Sequence, residues 1–206
     1  LRISSLVLSG KGKTKALISR WLERHLSRRV NLLVANNSRG LAEFIADGFS
    51  PKSTIVIRNG IDVDYFRYNE EYRSSIRNEL GLEDNVIVIS QIARVVEWKG
   101  YSDLIGAIQL LDVSPQKVVF LCVGTGLPEL VARYKEQAEN SSAKVKIYWL
   151  GDRQDVVRIL CGSDIFTLAS TSGEGFSNAL AEAMAVKRPV VATDVGDAKD
   201  IVGEGG

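Results

Sequence analysis

A chain of 206 residues, 45% apolar and 25% charged, has the make-up of an ordinary globular protein and enough length to bury a sizeable core, as one large domain or parts of two. No apolar run approaches the ~20 residues that a membrane-spanning helix needs, no secretory signal pattern follows Leu1, and a lone histidine, His25, excludes a multi-histidine metal site. Net charge is only +1, but residues 1–39 hold nine Lys or Arg against the single acid Glu23, so this front is +8 and the rest −7. Such asymmetry points to an anionic partner. No aromatic residues are interleaved to stack bases, so nucleic acid is not expected.

Residues 15–30 place Leu17, Ile18, Trp21, Leu22, His25 and Leu26 on one helical face and Arg20, Glu23, Arg24, Ser27 and Arg28 on the other. This is an amphipathic helix with a packing histidine at the edge of its apolar side. Its basic face reads first as solvated, with peripheral contact to an anionic membrane as the alternative. Residues 30–35 form a short apolar strand. Ser38 is placed to cap a helix over 39–47 that Gly48 ends, and 55–57 is another short strand. Arg58-Asn59-Gly60-Ile61-Asp62 is turn-rich, which puts a domain boundary there and divides the chain into 1–58 and 59–206.

Beyond the boundary a polar helix over 69–80 ends at Gly81. Strands at 86–91, 117–123, 145–150, 165–169 and 189–192 then alternate with helices at 100–111, 127–139, 153–161 and 177–186. The strands are continuous apolar runs, as in strands covered on both faces. The alternation predicts an α/β fold: an open parallel sheet, helices on both faces, right-handed crossovers. Cys122 and Cys161 fall inside apolar segments without metal spacing and read as buried free thiols of a reducing cytoplasm.

Two phosphate motifs are incomplete. Gly10-Lys11-Gly12-Lys13-Thr14 lacks the P-loop's earlier glycine, since Val7 stands there. Gly124-Thr125-Gly126 follows a strand and opens a helix, but the third glycine of a dinucleotide fingerprint would fall at Glu129. The glycines fit either a tight βα turn or close approach of a ligand to the backbone. More weight belongs to the loops after the first and fourth strands of the regular half. In the strand order 3-2-1-4-5 these loops meet at the crevice where the order reverses. One carries Arg94 and Lys99; the other runs Ser170-Thr171-Ser172-Gly173-Glu174-Gly175-Phe176 into a helix N-terminus. Two cations facing a helix N-terminus favour an anion, and a diphosphate is the natural occupant. Glu174 and Glu182 stand eight residues apart, ~12 Å if all were helical, and each carboxylate can accept from two vicinal hydroxyls.

Residues 172–185, Ser172-Gly173-Glu174-Gly175-Phe176 through Glu182-Ala183-Met184-Ala185, resemble the Glu-x7-Glu segment of the retaining, two-lobed (GT-B) nucleotide-sugar glycosyltransferases, family four in particular. Pro189 to Gly196 is similar to that family's next strand and turn, Ala93-Arg94 through Lys99-Gly100 to its phosphate loop, and Val123-Gly124-Thr125-Gly126 to its Gly-x-Gly loop. Asn36-Asn37-Ser38 and residues 56–62 resemble the end of the first lobe and its linker. Departures are Ala93 for the usual glycine, Leu127 where proline is common, and Val186-Lys187-Arg188 before Pro189, which predicts a differently built turn.

The resemblance implies a Rossmann-like donor lobe at 59–206 and the end of an acceptor-side lobe at 1–58, with the front of the first lobe and a closing strand and helix lying beyond the chain. It implies metal-independent transfer of a sugar from a nucleotide diphosphate with retention, and no cofactor. Arg94 and Lys99 would neutralise the leaving diphosphate. Glu174, with the N–H groups of Gly175 and Phe176 beside Ser177, would hold the donor sugar, and Glu182 the ribose. Gly124 and Gly126 would allow approach of the phosphates or the sugar, and Gly151 to Arg153 would border the base. His25 does not match the family's histidine. A cytoplasmic enzyme is expected, free or peripheral at the membrane, with a sugar or lipid-linked acceptor and with this piece alone inactive. A nucleotide-sugar epimerase and a non-enzymatic sugar-nucleotide-binding module are the rival readings.

Overall fold

The computed structural model describes residues 13–111, 118–140 and 145–203. Arg2, Lys11, the Gly10-Lys11-Gly12 stretch, Lys117 and residues 204–206 lie outside them. The chain divides into two compact units, Leu1–Asn59 and Gly60–Gly206.

In the first unit, α1 (Lys13–Ser27) precedes β1 (Leu33–Ala35), α2 (Ser38–Ala46) and β2 (Thr54–Val56). The two strands pair in parallel, Leu33 opposite Thr54. Asn37, not Ser38, caps α2: its side chain accepts the Gly40 N–H. Asparagine is as good a cap as serine, and Asn37 occupies the extended cap position one residue earlier.

The packing of α1 reverses the expectation. Its polar side is docked: Arg20 and Arg24 form ion pairs with Asp47 at the end of α2, and the Ser27 hydroxyl accepts the Ser50 N–H. Burial pushes the Asp47 carboxyl up, but hydrogen bonds from Arg20 and Arg24 outweigh it and hold the group below its usual range. Leu17, Ile18, Trp21, Leu22 and Leu26 are instead exposed, and His25 lies against Trp21 on the exposed side, ring centres 4.5 Å apart and tilted by 33°. Among the described residues, directional ion pairs with one carboxylate orient this helix.

The second unit opens with α3 (Glu70–Glu79), whose Asn69 cap accepts from the N–H groups of Glu71 and Tyr72. Then follow β3 (Ile87–Ile92), α4 (Tyr101–Gln109), β4 (Val118–Val123), α5 (Pro128–Glu139), β5 (Lys146–Gly151), α6 (Val156–Gly162), β6 (Ile165–Leu168), α7 (Asn178–Ala185), β7 (Val190–Ala192) and a short α8 (Ala198–Val202). The five strands form one parallel sheet in the order β5-β4-β3-β6-β7. The first strand of the unit is thus central, as the 3-2-1-4-5 order requires.

β4 shows why its residues read as one apolar run. All six are buried, and they alternate between two layers. Val118, Phe120 and Cys122 pack with Tyr101, Leu104, Ile105 and Ile108 of α4 and with Tyr134 of α5. Val119, Leu121 and Val123 pack with Ile76 of α3 and Ile159 of α6. Each such side chain contributes about 1.5–3 kcal/mol by leaving water. Both cysteines are free and buried, and burial pushes the Cys122 thiol up to about 12, so it stays a neutral core group.

At the amino edge of the sheet, the buried Arg77 of α3 closes the structure. Its guanidinium donates to the carbonyls of Gly162 (3.2 Å), Glu83 (2.8 Å) and Val86 (2.5 Å) and pairs with Asp164 at 3.3 Å. Asp164 in turn accepts the Val88 N–H at 2.8 Å. This ties the starts of β3 and β6 to α3.

Candidate active site

At the opposite, carboxyl edge the chain leaves β3 and β4 side by side. Ala93 N–H donates to the Val123 carbonyl (2.9 Å) and Val95 N–H to that of Thr125 (2.8 Å). A Cβ on Gly124 would meet the Ala93 carbonyl oxygen at 2.1 Å, and one on Gly126 would meet that of Val95 at 1.9 Å. The Gly-x-Gly pattern is therefore fixed by the approach of the chain to itself. Gly124 N–H also reaches the Gly151 carbonyl at 2.7 Å, and Gly151, at φ +66°, ends β5 beside this loop.

The loops after β3 and β6 are packed as closely. A single 3-10 turn, Glu97–Lys99, ends at Gly100. Gly100 has φ +68°, and a Cβ there would meet the Ala169 carbonyl oxygen at 1.8 Å. Thr171 N–H donates to the Trp98 carbonyl at 2.9 Å. This contact brings Lys99 to Glu174: the ammonium pairs with Glu174 Oε1, and the Ser170 hydroxyl donates to the same oxygen. Only 14% of the Lys99 side chain and 8% of that of Glu174 face solvent. Trp98 lies beneath the cations, with Lys99 Nζ 4.8 Å and the Arg94 guanidinium 5.7 Å from its ring centre. Both distances fall within cation–π range. Arg94 is exposed and makes no ion pair among the described residues. A Cβ on Gly196 would meet the carbonyl oxygens of Glu174 (2.6 Å) and Gly175 (2.7 Å), so the turn after β7 cradles the Glu174 loop from behind.

α7 begins at Asn178, with Ser177 buried at its cap. The stretch from Glu174 to Ser177 is loop, so the separation of Glu174 and Glu182 is not the helical rise the sequence spacing suggested. Glu182 is half-buried, and desolvation raises its carboxyl above the ordinary range. Arg153 follows β5 and is held by Asp155 (2.8 Å) and Glu79 (2.8 Å). Arg158 of α6 grips the same two acids. Hydrogen bonds from the two arginines keep Glu79 below its usual range. The Arg153 guanidinium is thus engaged in a four-member network that shapes the loop after β5, and α6 starts only at Val156. No group of three or more His, Cys, Asp or Glu is placed to hold a metal ion among the described residues.

Residues 83–206 match the family described as glycosyl transferases group 1. The chain belongs to this family. It is 32% identical over 149 residues to a putative teichuronic acid biosynthesis glycosyltransferase, TuaC, of Bacillus subtilis, covering 72% of this chain and 35% of that protein. It is 27% identical over 189 residues to a Campylobacter jejuni N-acetylgalactosaminyltransferase named for a diphospho-undecaprenol substrate, covering 91% and 48%. A crystal structure of Anabaena HepE in complex with UDP-glucose has a similar fold, with TM-score 0.82, 27% identity, and 95% and 54% of the two chains covered. The chain spans about half or less of the length of these curated relatives.

In this member of the family the structure brings Arg94, Lys99 and Glu174 to one sheet edge, with Gly175, Phe176 and Ser177 leading into α7. It sets Arg153 into a separate ion-pair network. Sequence reasoning missed the direct Lys99–Glu174 pair, the Ser170 hydroxyl and the Trp98 platform. Only Trp98 had a local signal, an aromatic residue between two cations. The turn before Pro189 also corrects an expectation. Lys187 N–H bonds to the Met184 carbonyl and Arg188 N–H to that of Ala183, both at 2.9 Å. That is a Schellman closure, with Lys187 at φ +61° in a position that favours glycine. The turn keeps the glycine geometry because its two hydrogen bonds and the buried Val186 hold it.

Proposed function

We propose that residues 59–206 are the donor-binding lobe, and 1–58 the end of the acceptor-side lobe, of a retaining family-four glycosyltransferase that moves a hexose-type sugar from a nucleotide diphosphate to a sugar or lipid-linked acceptor. The observation that carries this is the buried Lys99–Glu174 pair beside the exposed Arg94, at the sheet edge where β3 and β6 diverge. In the free site Lys99 and Glu174 compensate each other. A bound nucleotide sugar separates their duties: the diphosphate takes Lys99 and Arg94, and the sugar hydroxyls take Glu174. As the glycosidic bond breaks, negative charge grows on the leaving diphosphate, and the two fixed cations stabilise it. They supply positive charge that a metal ion would otherwise bring. The half-buried Glu182 gains when its carboxylate accepts ribose hydroxyls. Gly151 and Arg153 border the base through the backbone and the loop that Glu79 and Asp155 brace.

We take the protein to be cytoplasmic; its +8 front supports contact with an anionic membrane, and no helix among the described residues is long and apolar enough to cross one. The test is product analysis by NMR of the intact protein with a panel of nucleotide sugars and lipid-linked acceptors. A glycosylated product with the donor's anomeric configuration is expected. Isomerised donor without transfer would make the protein an epimerase, and binding without turnover would make it a sugar-nucleotide-binding module.

A further inference from the structure

β3 is the central strand and is apolar except near its carboxyl end, where Gln91 is 1% exposed. Burying a primary amide is unfavourable unless both its ends find partners. Both do. Nε2 donates to the Lys99 carbonyl at 3.2 Å, and Oε1 accepts the Ala169 N–H at 3.1 Å. Lys99 closes the 3-10 turn of one cleft loop, and Ala169 opens the other. One side chain, rooted in the strand between them, therefore spans the two loops from below. The other loop-to-loop links among the described residues are the Lys99–Glu174 ion pair, the bonds of the Thr171 N–H and hydroxyl to the Trp98 carbonyl, and the Gly100–Ala169 contact. All of these lie within the loops themselves. Among the described residues, Gln91 is the side chain that joins them from the sheet.

We propose that Gln91 is a positioning residue, whose buried amide fixes the separation of the two cleft loops and with it the placing of Lys99 against Glu174. An apolar residue would fill the same space but leave a buried N–H and a buried carbonyl without partners, and the loops would move to satisfy them. The inference rests on the reading of this cleft as a nucleotide-sugar site.

The intact protein, its Gln91→Met, Gln91→Glu and Lys99→Ala variants, and UDP-glucose as the probe provide the test. Methionine keeps the length of glutamine without its amide. Gln91→Met is expected to melt as one cooperative unit, to bind UDP-glucose about tenfold more weakly, ~1.4 kcal/mol, and to exchange the Ala169 amide faster. A protonated carboxyl has one acceptor and one donor, like the amide. Gln91→Glu should thus match the parent at about pH 5.5, where burial keeps the acid neutral, and lose affinity about tenfold relative to the parent by about pH 8.5. The titratable groups facing position 91 are the Tyr101 hydroxyl on α4 and the Cys122 thiol on β4. Burial raises both, the thiol to about 12, so neither changes charge in that range.

Rescue by glutamic acid at low pH only is the sign of positioning through this hydrogen-bond pair, and it decides the matter even if Gln91→Met fails to fold. Loss of UDP-glucose affinity in Lys99→Ala but in neither Gln91 variant at any pH would overturn the proposal while leaving the donor site standing. A parent that binds neither UDP-glucose nor any other nucleotide sugar of the panel would remove both.

Discussion

The two edges of the parallel sheet each hold an arginine, and they are used in opposite ways. Arg77 at the amino edge is buried and bonded to four carbonyls, that of Asp84 among them, and to Asp164. Arg94 at the carboxyl edge is exposed, lies over Trp98 and has no anionic partner among the described residues. A guanidinium whose two terminal nitrogens are bonded to its own chain holds a fold together; one left facing water beside a buried ion pair is available to a ligand. The glycines divide the same way. Gly162, near Arg77, would place a Cβ at 2.1 Å from an Ile76 side chain, a matter of helix packing. Gly124, Gly126 and Gly100 would strike backbone carbonyls of neighbouring loops, which keeps the cleft walls in register.

Breaking each edge should give a different phenotype. The largest effect is expected for Arg77→Met, which leaves several buried carbonyls unsatisfied at about 1–3 kcal/mol each in chemical denaturation, while Asp164 keeps its ion pair with Arg73. Arg94→Ala should leave the melting temperature unchanged and weaken UDP binding by ~1.5–3 kcal/mol in calorimetry. A large melting shift in Arg94→Ala, or none in Arg77→Met, would erase the contrast. Within the carboxyl edge, Glu182→Gln should weaken UDP and UDP-glucose alike, because ribose is common to both. Glu174→Gln should weaken UDP-glucose only, and UDP should bind as well or better because Lys99 is freed from its partner.

Glu182 also carries a pH signature. Burial raises its carboxyl, so the folded chain keeps this proton to higher pH than the unfolded chain. Its contribution to stability therefore falls as pH climbs from the ordinary carboxylate range through the raised value. Glu182→Gln should melt higher than the parent at neutral pH, and the difference should vanish in acid below that range. The smallest effect is Lys187→Gly, which relieves a left-handed lysine and should stabilise by about 1 kcal/mol. Unchanged melting there would mean the lysine's own contacts offset its backbone cost.

The sheet and its strand order were legible because fully buried strands such as 118–123 are continuous apolar runs and the helices between them are periodic. The cleft loops were legible because topology alone brings them to one edge. What was hidden depends on contacts between distant residues. Lys99 and Glu174 are 75 positions apart, and Gln91 and Ala169 are 78. No local pattern encodes such pairs. The orientation of α1 was hidden for the same reason, since Asp47 recruits Arg20 and Arg24 across 27 and 23 positions. Amphipathicity names an apolar face but does not say which partner it meets within the unit. The cap at Asn37 was missed because asparagine and serine stand side by side.

The most direct measurement of the central claim is amide NMR of the protein titrated with UDP. Shifts are expected at Gly124, Gly126, Lys99, Gly175 and Phe176 on the carboxyl edge, with Arg77, Glu83 and Asp164 on the amino edge unmoved. Shifts centred on the amino edge, or none at either edge at saturating UDP, would contradict the account.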